Sequence, residues 1–357
     1  MNTVNTRGNL NNFRRGIKEK SLKIGFAGGS ITTASNRENW PTHLRGWLLG
    51  EFPDVKFRFN NAAIGATGSL CGLALVQKEF IDSEYDLVFV EYAVNDNAID
   101  SDERMRTREG LIRKLLSAGI DVVLVYTYFS EMYDPEHPDK LPQSIAELEQ
   151  LAEHYCISSV YMAQAVYRMT EQGRCPWNMW LPDGTHPQAF GSYIYASAVI
   201  KLLKEELLCE DSVNKKPLPV PINANNWENA VEYSLDDVCC NGAWSIEKER
   251  ELSWFDEKLY SCALKASLSF SFHGHGVAII FNYGRTSGLI EYRIDNSEWK
   301  ELAFKREWWV PEENFVNAVK CADDLNNGEH YFELRVSYVN KKDFTSSICS
   351  ILKIITV

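Results

Sequence analysis

The sequence contains no Cys-x-x-Cys pair, no histidines at zinc-site spacing, no internal repeat and no low-complexity tract. Its nine cysteines are odd in number and scattered, and two of them, Cys239 and Cys240, are adjacent. That pattern suits neither a disulfide framework nor a metal site, and free thiols in a reducing compartment account for it. His273 and His275 flank a glycine turn without further ligands nearby, so no metal and no cofactor are expected. Positive charge is scarce: 37 Lys and Arg stand against 49 Asp and Glu, a formal net charge of −12. Nucleic-acid binders concentrate the opposite sign, so neither nucleic acid nor an anionic membrane surface is expected as a partner. No run approaches the roughly 18 apolar residues of a spanning helix. Residues 1–20 are polar and basic and lack the apolar segment of a secretory leader, which leads us to expect a cytoplasmic location.

What is present is a globular composition, 45% apolar and 24% charged over 357 residues, enough for two domains with sizeable cores. The first is organised around Leu22 to Ala27, an apolar run broken by Gly28 and Gly29 and followed by Ser30. Bounded in this way, the run reads as a buried strand. Further strands are read at 55–60, 86–92, 122–126 and 157–162. Helical spacing appears at 12–20, 40–52, 69–81, 103–118, 143–155 and 190–208, with Pro41 suited to a first turn. Residues 133–142, with three prolines, read as a loop, and 175–187 as irregular. Strands alternating with helices imply a parallel sheet covered on both faces. Right-handed crossovers then place every strand C-terminus on one edge. Ser30, Gly65 and Asn95 each lie just past such an end, so they converge on one rim.

The character changes near residue 209. A first domain over 1–208 gives way to a linker at 209–222, which contains Asn214-Lys-Lys-Pro-Leu-Pro-Val-Pro221. Period-two runs at 266–273, 277–283, 288–294, 331–338 and 347–355 then predict an all-β sandwich of jelly-roll type over 223–357.

Candidate chemistry comes from four places. Asp183 stands three residues before His186 in a Pro-flanked loop and can turn back to the imidazole Nδ1. The ring would then offer Nε2 to the Ser30 hydroxyl. The plainer alternative is that Asp183 or Thr185 caps the helix that follows. Asn95 can donate its amide to a developing oxyanion, or can be a turn residue in Asn-Asp. Gly65 can expose its N–H to the same oxygen, or can be an ordinary left-handed turn residue.

In this order and at this spacing, Gly-Gly-Ser30, Ala-Ile-Gly65, Val-Asn95-Asp and Asp183-x-x-His186-Pro resemble the four blocks of the SGNH (GDSL-type) hydrolases. The resemblance covers roughly residues 20–208, and Gly-Gly-Ser-Ile-Thr is similar to its carbohydrate-esterase branches. It implies a flavodoxin-like three-layer α/β/α fold, with Ser30 as nucleophile, His186 as general base and Asp183 orienting it. The implied oxyanion hole comprises the Ser30 and Gly65 backbone N–H groups and the Asn95 side chain. Gly29 departs from the family's usual Asp, and Ala93 from its usual Gly; neither change removes a reacting group. A general base must be neutral, so activity is expected to rise through roughly pH 6–7.

The loops at 126–129, 133–142 and 176–180 mix aromatics with polar groups, which suits sugar rings better than an acyl chain. The runs at 281–285, 288–295 and 307–311 resemble jelly-roll modules that accompany carbohydrate acetylesterases. Gly29, Asp96, Trp180, Trp308 and Trp309 are the candidate substrate contacts, with core packing as the alternative for the tryptophans. The two-domain layout resembles mannan-active acetylesterases. The expected substrates are imported acetylated oligosaccharides, mannooligosaccharides first and xylooligosaccharides second. An O-acetyltransferase, a short-chain lipid or thioester acylhydrolase and a non-catalytic lectin remain alternatives, and homo-oligomerisation is left open.

Overall fold

The computed structural model describes residues 3–33, 38–132, 134, 140–210, 217–285, 287–302, 304, 307–337 and 347–357. The chain forms two units, residues 1–228 and 229–357. In the first, strands and helices alternate: β1 (Val4–Asn5), α1 (Asn11–Glu19), β2 (Ser21–Gly28), α2 (Trp40–Glu51), β3 (Lys56–Asn61), α3 (Ser69–Val76) and β4 (Leu87–Glu91). There follow α4 (Ser101–Ser117), β5 (Asp121–Tyr126), α5 (Gln143–His154), β6 (Ser158–Tyr161), α6 (Gln164–Glu171), α7 (Trp177–Trp180) and α8 (Ala189–Glu206).

The sheet order is β1-β6-β5-β4-β2-β3. Its neighbours from β6 to β3 are parallel, and β1 is antiparallel on β6. β4 and β5 are buried at every position, as strands covered on both faces must be. Phe26 on β2 stacks on Phe89 of β4, and both meet the Trp40 ring of α2 edge-on. α2 begins where Asn39 accepts a hydrogen bond from the Thr42 N–H, with Pro41 in the first turn. The expected helix over 69–81 is α-helical to Val76 and then widens into one π turn, Gln77–Ile81. That turn seats Phe80 on the β2 backbone at Gly25, where a Cβ would overlap its ring.

The parallel strands alone run β3-β2-β4-β5-β6, so the order reverses between β2 and β4. At such a reversal the loops leaving the two strands diverge at the C-terminal edge, which is the usual ligand position of such sheets. Ser30 follows β2 and Asn95 follows β4.

Of the predicted 209–222 linker, residues 211–216 lie outside the described residues, as does most of the 133–142 loop. Between Pro219 and Trp227 the chain lies against α4. Arg113 donates to the Pro219 carbonyl, Glu109 accepts from the Ile222 and Asn223 N–H groups, and the backbone of buried Trp227 packs on Gly110.

The second unit is a β-sandwich. Its strands are β7 (Val231–Tyr233), β8 (Cys239–Asn241), β9 (Ser245–Lys248), β10 (Glu257–Ser261), β11 (Ser267–Gly274) and β12 (Val277–Asn282). β13 (Leu289–Ile294), β14 (Lys300–Glu301), β15 (Val316–Ala322), β16 (Gly328–Ser337) and β17 (Cys349–Thr356) complete it. One antiparallel sheet runs β15-β12-β17-β10-β9, with β7 also on β17; the other runs β14-β13-β16-β11-β8. Leu268, Phe270 and Phe272 of β11 alternate inward with Phe332, Leu334 and Val336 of β16 and meet Ile279, Phe281 and Ile351 of the facing sheet. Tyr338, the predicted end of the 331–338 strand, lies outside the described residues.

Candidate active site

Ser30 sits in the tight turn that ends β2. The Thr32 and Thr33 N–H groups both donate to the Gly29 carbonyl, at 3.1 and 3.0 Å. Thr32 braces this turn. Its hydroxyl accepts from Trp40 Nε1 at 3.0 Å and donates to Glu91 at 2.9 Å, and its carbonyl accepts from Asn39 and Asn61. Gly29 has a steric reason to be glycine: a Cβ there would overlap the Asn95 side-chain amide.

The second loop is built by one carboxylate. Asp183 Oδ1 accepts from the backbone N–H groups of Thr185 and His186, at 2.9 and 2.7 Å. Its Oδ2 meets His186 Nδ1 at 2.7 Å. Gly184 takes the left-handed conformation this turn requires, φ +82°. The Gly184 carbonyl accepts from the Ser130 N–H at 2.7 Å, which ties the loop to the segment after β5. Burial alone raises the Asp183 carboxyl, but its bonds from His186 and Thr185 outweigh this and hold it below its ordinary value. The capping alternative does not describe this loop: α8 is capped at Gln188, with no side-chain cap bond.

The two loops meet. Ser30 Oγ and His186 Nε2 lie 2.7 Å apart, so hydroxyl, imidazole and carboxylate form one continuous chain. The site is open, with the His186 and Asp183 side chains 44% and 56% exposed. Gly65 borders it: a Cβ built there would sit 3.8 Å from the Ser30 Cβ. The left-handed residue of that loop is its neighbour Ala66, φ 60°. Asn95 closes the other side against Gly29, and among the described residues its buried Oδ1 has no hydrogen-bond partner.

Two expected substrate contacts are internal instead. Asp96 is fully buried: Oδ2 pairs with Arg108 Nε at 2.8 Å, and Oδ1 accepts from the Ser69 N–H that opens α3. Buried Arg108 also donates to the Tyr92 carbonyl and to the carbonyl and hydroxyl of Ser144. Asp96 thus anchors the turn that presents Asn95. Trp180 is also fully buried, stacked on Trp177 with its Nε1–H donating to Thr170. In the second unit Trp308 is 85% exposed, and Trp309 meets Phe315 edge-on.

Glu91 was not singled out from the sequence. It ends β4 and is fully buried, and its carboxylate accepts from the Gly29 N–H (3.3 Å), Thr32 Oγ (2.9 Å) and Thr127 Oγ (2.5 Å). Burial pushes its pKa up to about 7, against the lowering effect of these bonds. The available signal was a carboxylate at the end of an otherwise apolar strand run.

No protein-family model matches the sequence, and no curated protein matches it. Among solved structures, the chain is similar to a two-domain esterase active on acetylated mannans, at 22% identity and a TM-score of 0.84 over 99% of this chain and 96% of that one. The same esterase co-crystallised with mannopentaose matches with a TM-score of 0.83, at 22% identity over 99% and 96%. A variant of an acetyl xylan esterase from Geobacillus stearothermophilus matches 54% of this chain and 97% of its own, at 19% identity and a TM-score of 0.46. A parallel α/β unit followed by a β-sandwich, superposable along nearly its whole length, gives this chain the two-domain fold of the acetylated-mannan esterase.

Proposed function

We propose that this protein is a carbohydrate O-acetylesterase that removes acetyl groups by way of Ser30, with acetylated mannooligosaccharides as its substrates and acetylated xylooligosaccharides second. The observation that carries the reading is the pair of 2.7 Å contacts from Ser30 Oγ to His186 Nε2 and from His186 Nδ1 to Asp183 Oδ2. In the reaction Ser30 Oγ attacks the acetyl carbonyl carbon while His186 Nε2 takes the hydroxyl proton. The carbonyl oxygen becomes an oxyanion that accepts from the Ser30 and Gly65 N–H groups and the Asn95 amide. Collapse of this intermediate breaks the bond to the sugar oxygen, which leaves with the proton from His186. Water then attacks the acetyl-Ser30 carbonyl carbon and gives a proton to His186; the bond to Ser30 Oγ breaks, His186 returns the proton to that oxygen, and acetate departs. Asp183, held ionised by its hydrogen bonds, keeps Nδ1 protonated and stabilises the imidazolium.

The sugar half of the proposal draws on the fold shared with an esterase active on acetylated mannans. The openness of the site also supports it, since a bulky glycan can approach. Trp308 offers an exposed aromatic face of the kind sugar rings stack on and is included here as a glycan contact. The test is proton NMR of acetylated manno- and xylooligosaccharides incubated with the protein and with Ser30→Ala. Loss of acetyl signals from the mannooligosaccharides, absent in the variant, is expected. Untouched acetyl signals in both sugars, from a protein that hydrolyses 4-nitrophenyl acetate, would refute the substrate and leave the chemistry.

A further inference from the structure

We propose that Glu91 is a positioning residue that locks the Ser30 turn and the His186 loop to one another, and so sets the Ser30–His186 contact. The inference rests on the reading of Ser30 as nucleophile and His186 as base. One Glu91 oxygen, Oε2, accepts from Gly29 N and Thr32 Oγ, the residues on either side of Ser30 and Ile31. The Thr32 hydroxyl already accepts from Trp40 Nε1, so its own proton points to Glu91. The other oxygen, Oε1, holds Thr127 Oγ, one residue past the end of β5. Three residues further on, the Ser130 N–H donates to the Gly184 carbonyl inside the Asp183–His186 turn. A continuous path thus runs from the nucleophile turn through Glu91 and Thr127 to the loop that carries the base.

All of these groups are fully buried at Glu91, Thr32 and Thr127, so solvent cannot substitute for a lost bond. Glu91 is also in register with Gly28 at the end of the β2–β4 ladder, which fixes the carboxyl directly below the turn. Among the described residues no hydrogen bond joins Glu91 or Thr127 to Ser30 Oγ or to the His186 ring, so their effect on the reaction is through the placement of Ser30 and His186.

Glutamine can keep all three partners with one bond reversed: its Oε1 accepts from Gly29 and Thr32, and its Nε2 donates to the Thr127 hydroxyl, which turns from donor to acceptor. Alanine removes all three bonds, and Thr127→Val removes only the link to the His186 loop. The experiment follows hydrolysis of 4-nitrophenyl acetate and the rate at which a fluorophosphonate labels Ser30, in wild type, Glu91→Gln, Glu91→Ala, Thr127→Val and Ser30→Ala. We expect Glu91→Gln to stay within about five-fold of wild type. Glu91→Ala is expected to lose about 10–100-fold in kcat with KM within about two-fold, and labelling should fall in parallel. Thr127→Val should fall in the same direction, and it decides the matter if Glu91→Ala does not fold. Wild-type kcat and labelling in Thr127→Val, or a loss in Glu91→Gln as large as in Glu91→Ala, would overturn the proposal. A wild-type protein that is not labelled at Ser30 would instead overturn the catalytic reading on which it rests.

Discussion

Asp183 holds His186 twice: Oδ1 accepts from its backbone N–H and Oδ2 meets its ring Nδ1, both at 2.7 Å. One carboxylate therefore fixes both the position of the residue and the tautomer of its ring. Asn at 183 could keep the backbone bond but would turn an N–H donor toward Nδ1. Asp183→Asn is expected to lower kcat by roughly three to four orders of magnitude, the scale of removing this charge from a Ser-His-Asp set. Because Asp183 is exposed, the melting temperature should barely move. Steady-state kinetics with 4-nitrophenyl acetate, read beside a thermal melt, checks both halves.

Gly29 and Asn95 should behave as one unit. Asn95→Ala removes a proposed oxyanion donor, worth about 2.7–4 kcal/mol of transition-state stabilisation. Gly29→Ala pushes a methyl group into the same amide and should cost a similar amount by displacing it. The double variant is expected to be little worse than either single one, a strong departure from additivity. Additive losses in the cycle would mean that Gly29 acts independently of Asn95.

Stability should fall as pH rises from about 4.5 to about 7, because Glu91 is raised from 4.5 to about 7 in the folded state, so the native protein binds more protons there than the unfolded chain. Desolvation is the chief cause, opposed by the bonds from Thr127, Thr32 and Gly29, while the nearby Asp96 charge adds to the rise. The buried phenols of Tyr92 and Tyr195 also face this carboxyl, and Asp96 is itself paired with Arg108. Asp121, likewise raised to about 7 mainly by burial, adds to the same slope. For Glu91 the loss amounts to about 3 kcal/mol once it is fully ionised. Urea unfolding at pH 5 and pH 8 should show wild type weaker at pH 8, with Glu91→Gln showing a shallower decline. An identical slope in the two proteins would contradict the assignment.

How much of this could be read in the sequence follows from the range of the interactions. The β2 strand, the α2 start at Pro41 and the alternation that builds the parallel sheet depend on local periodicity and capping, and all are present within two residues or so of where they were read. The short pieces β1, α6 and α7 are not read from the sequence, because a two-residue strand and helices of one or two turns are too short to show their period. Asp183 and His186 were legible because they are three residues apart. Asp96 and Trp180 were misplaced because their burial is decided by distant partners: Arg108 on α4 for one, Thr170 and Trp177 for the other. Glu91 stayed hidden for the same reason, since its donors at 29, 32 and 127 come together only in the folded sheet.

Arg108 supports the site from behind. Arg108→Ala would leave Asp96 charged and unpaired in the interior, directly beside Asn95, and should destabilise the first unit by about 3–5 kcal/mol. Conversion of both partners to apolar residues should cost less than the single change. Urea denaturation of the two variants distinguishes these outcomes.

The most direct measurement is mass spectrometry of the protein quenched during turnover of an acetylated mannooligosaccharide. An acetyl group is expected on the peptide that contains Ser30, transient in wild type and absent from Ser30→Ala, which should release no acetate. Acetate release by Ser30→Ala at the wild-type rate, or an acetyl group borne by another residue, would contradict it.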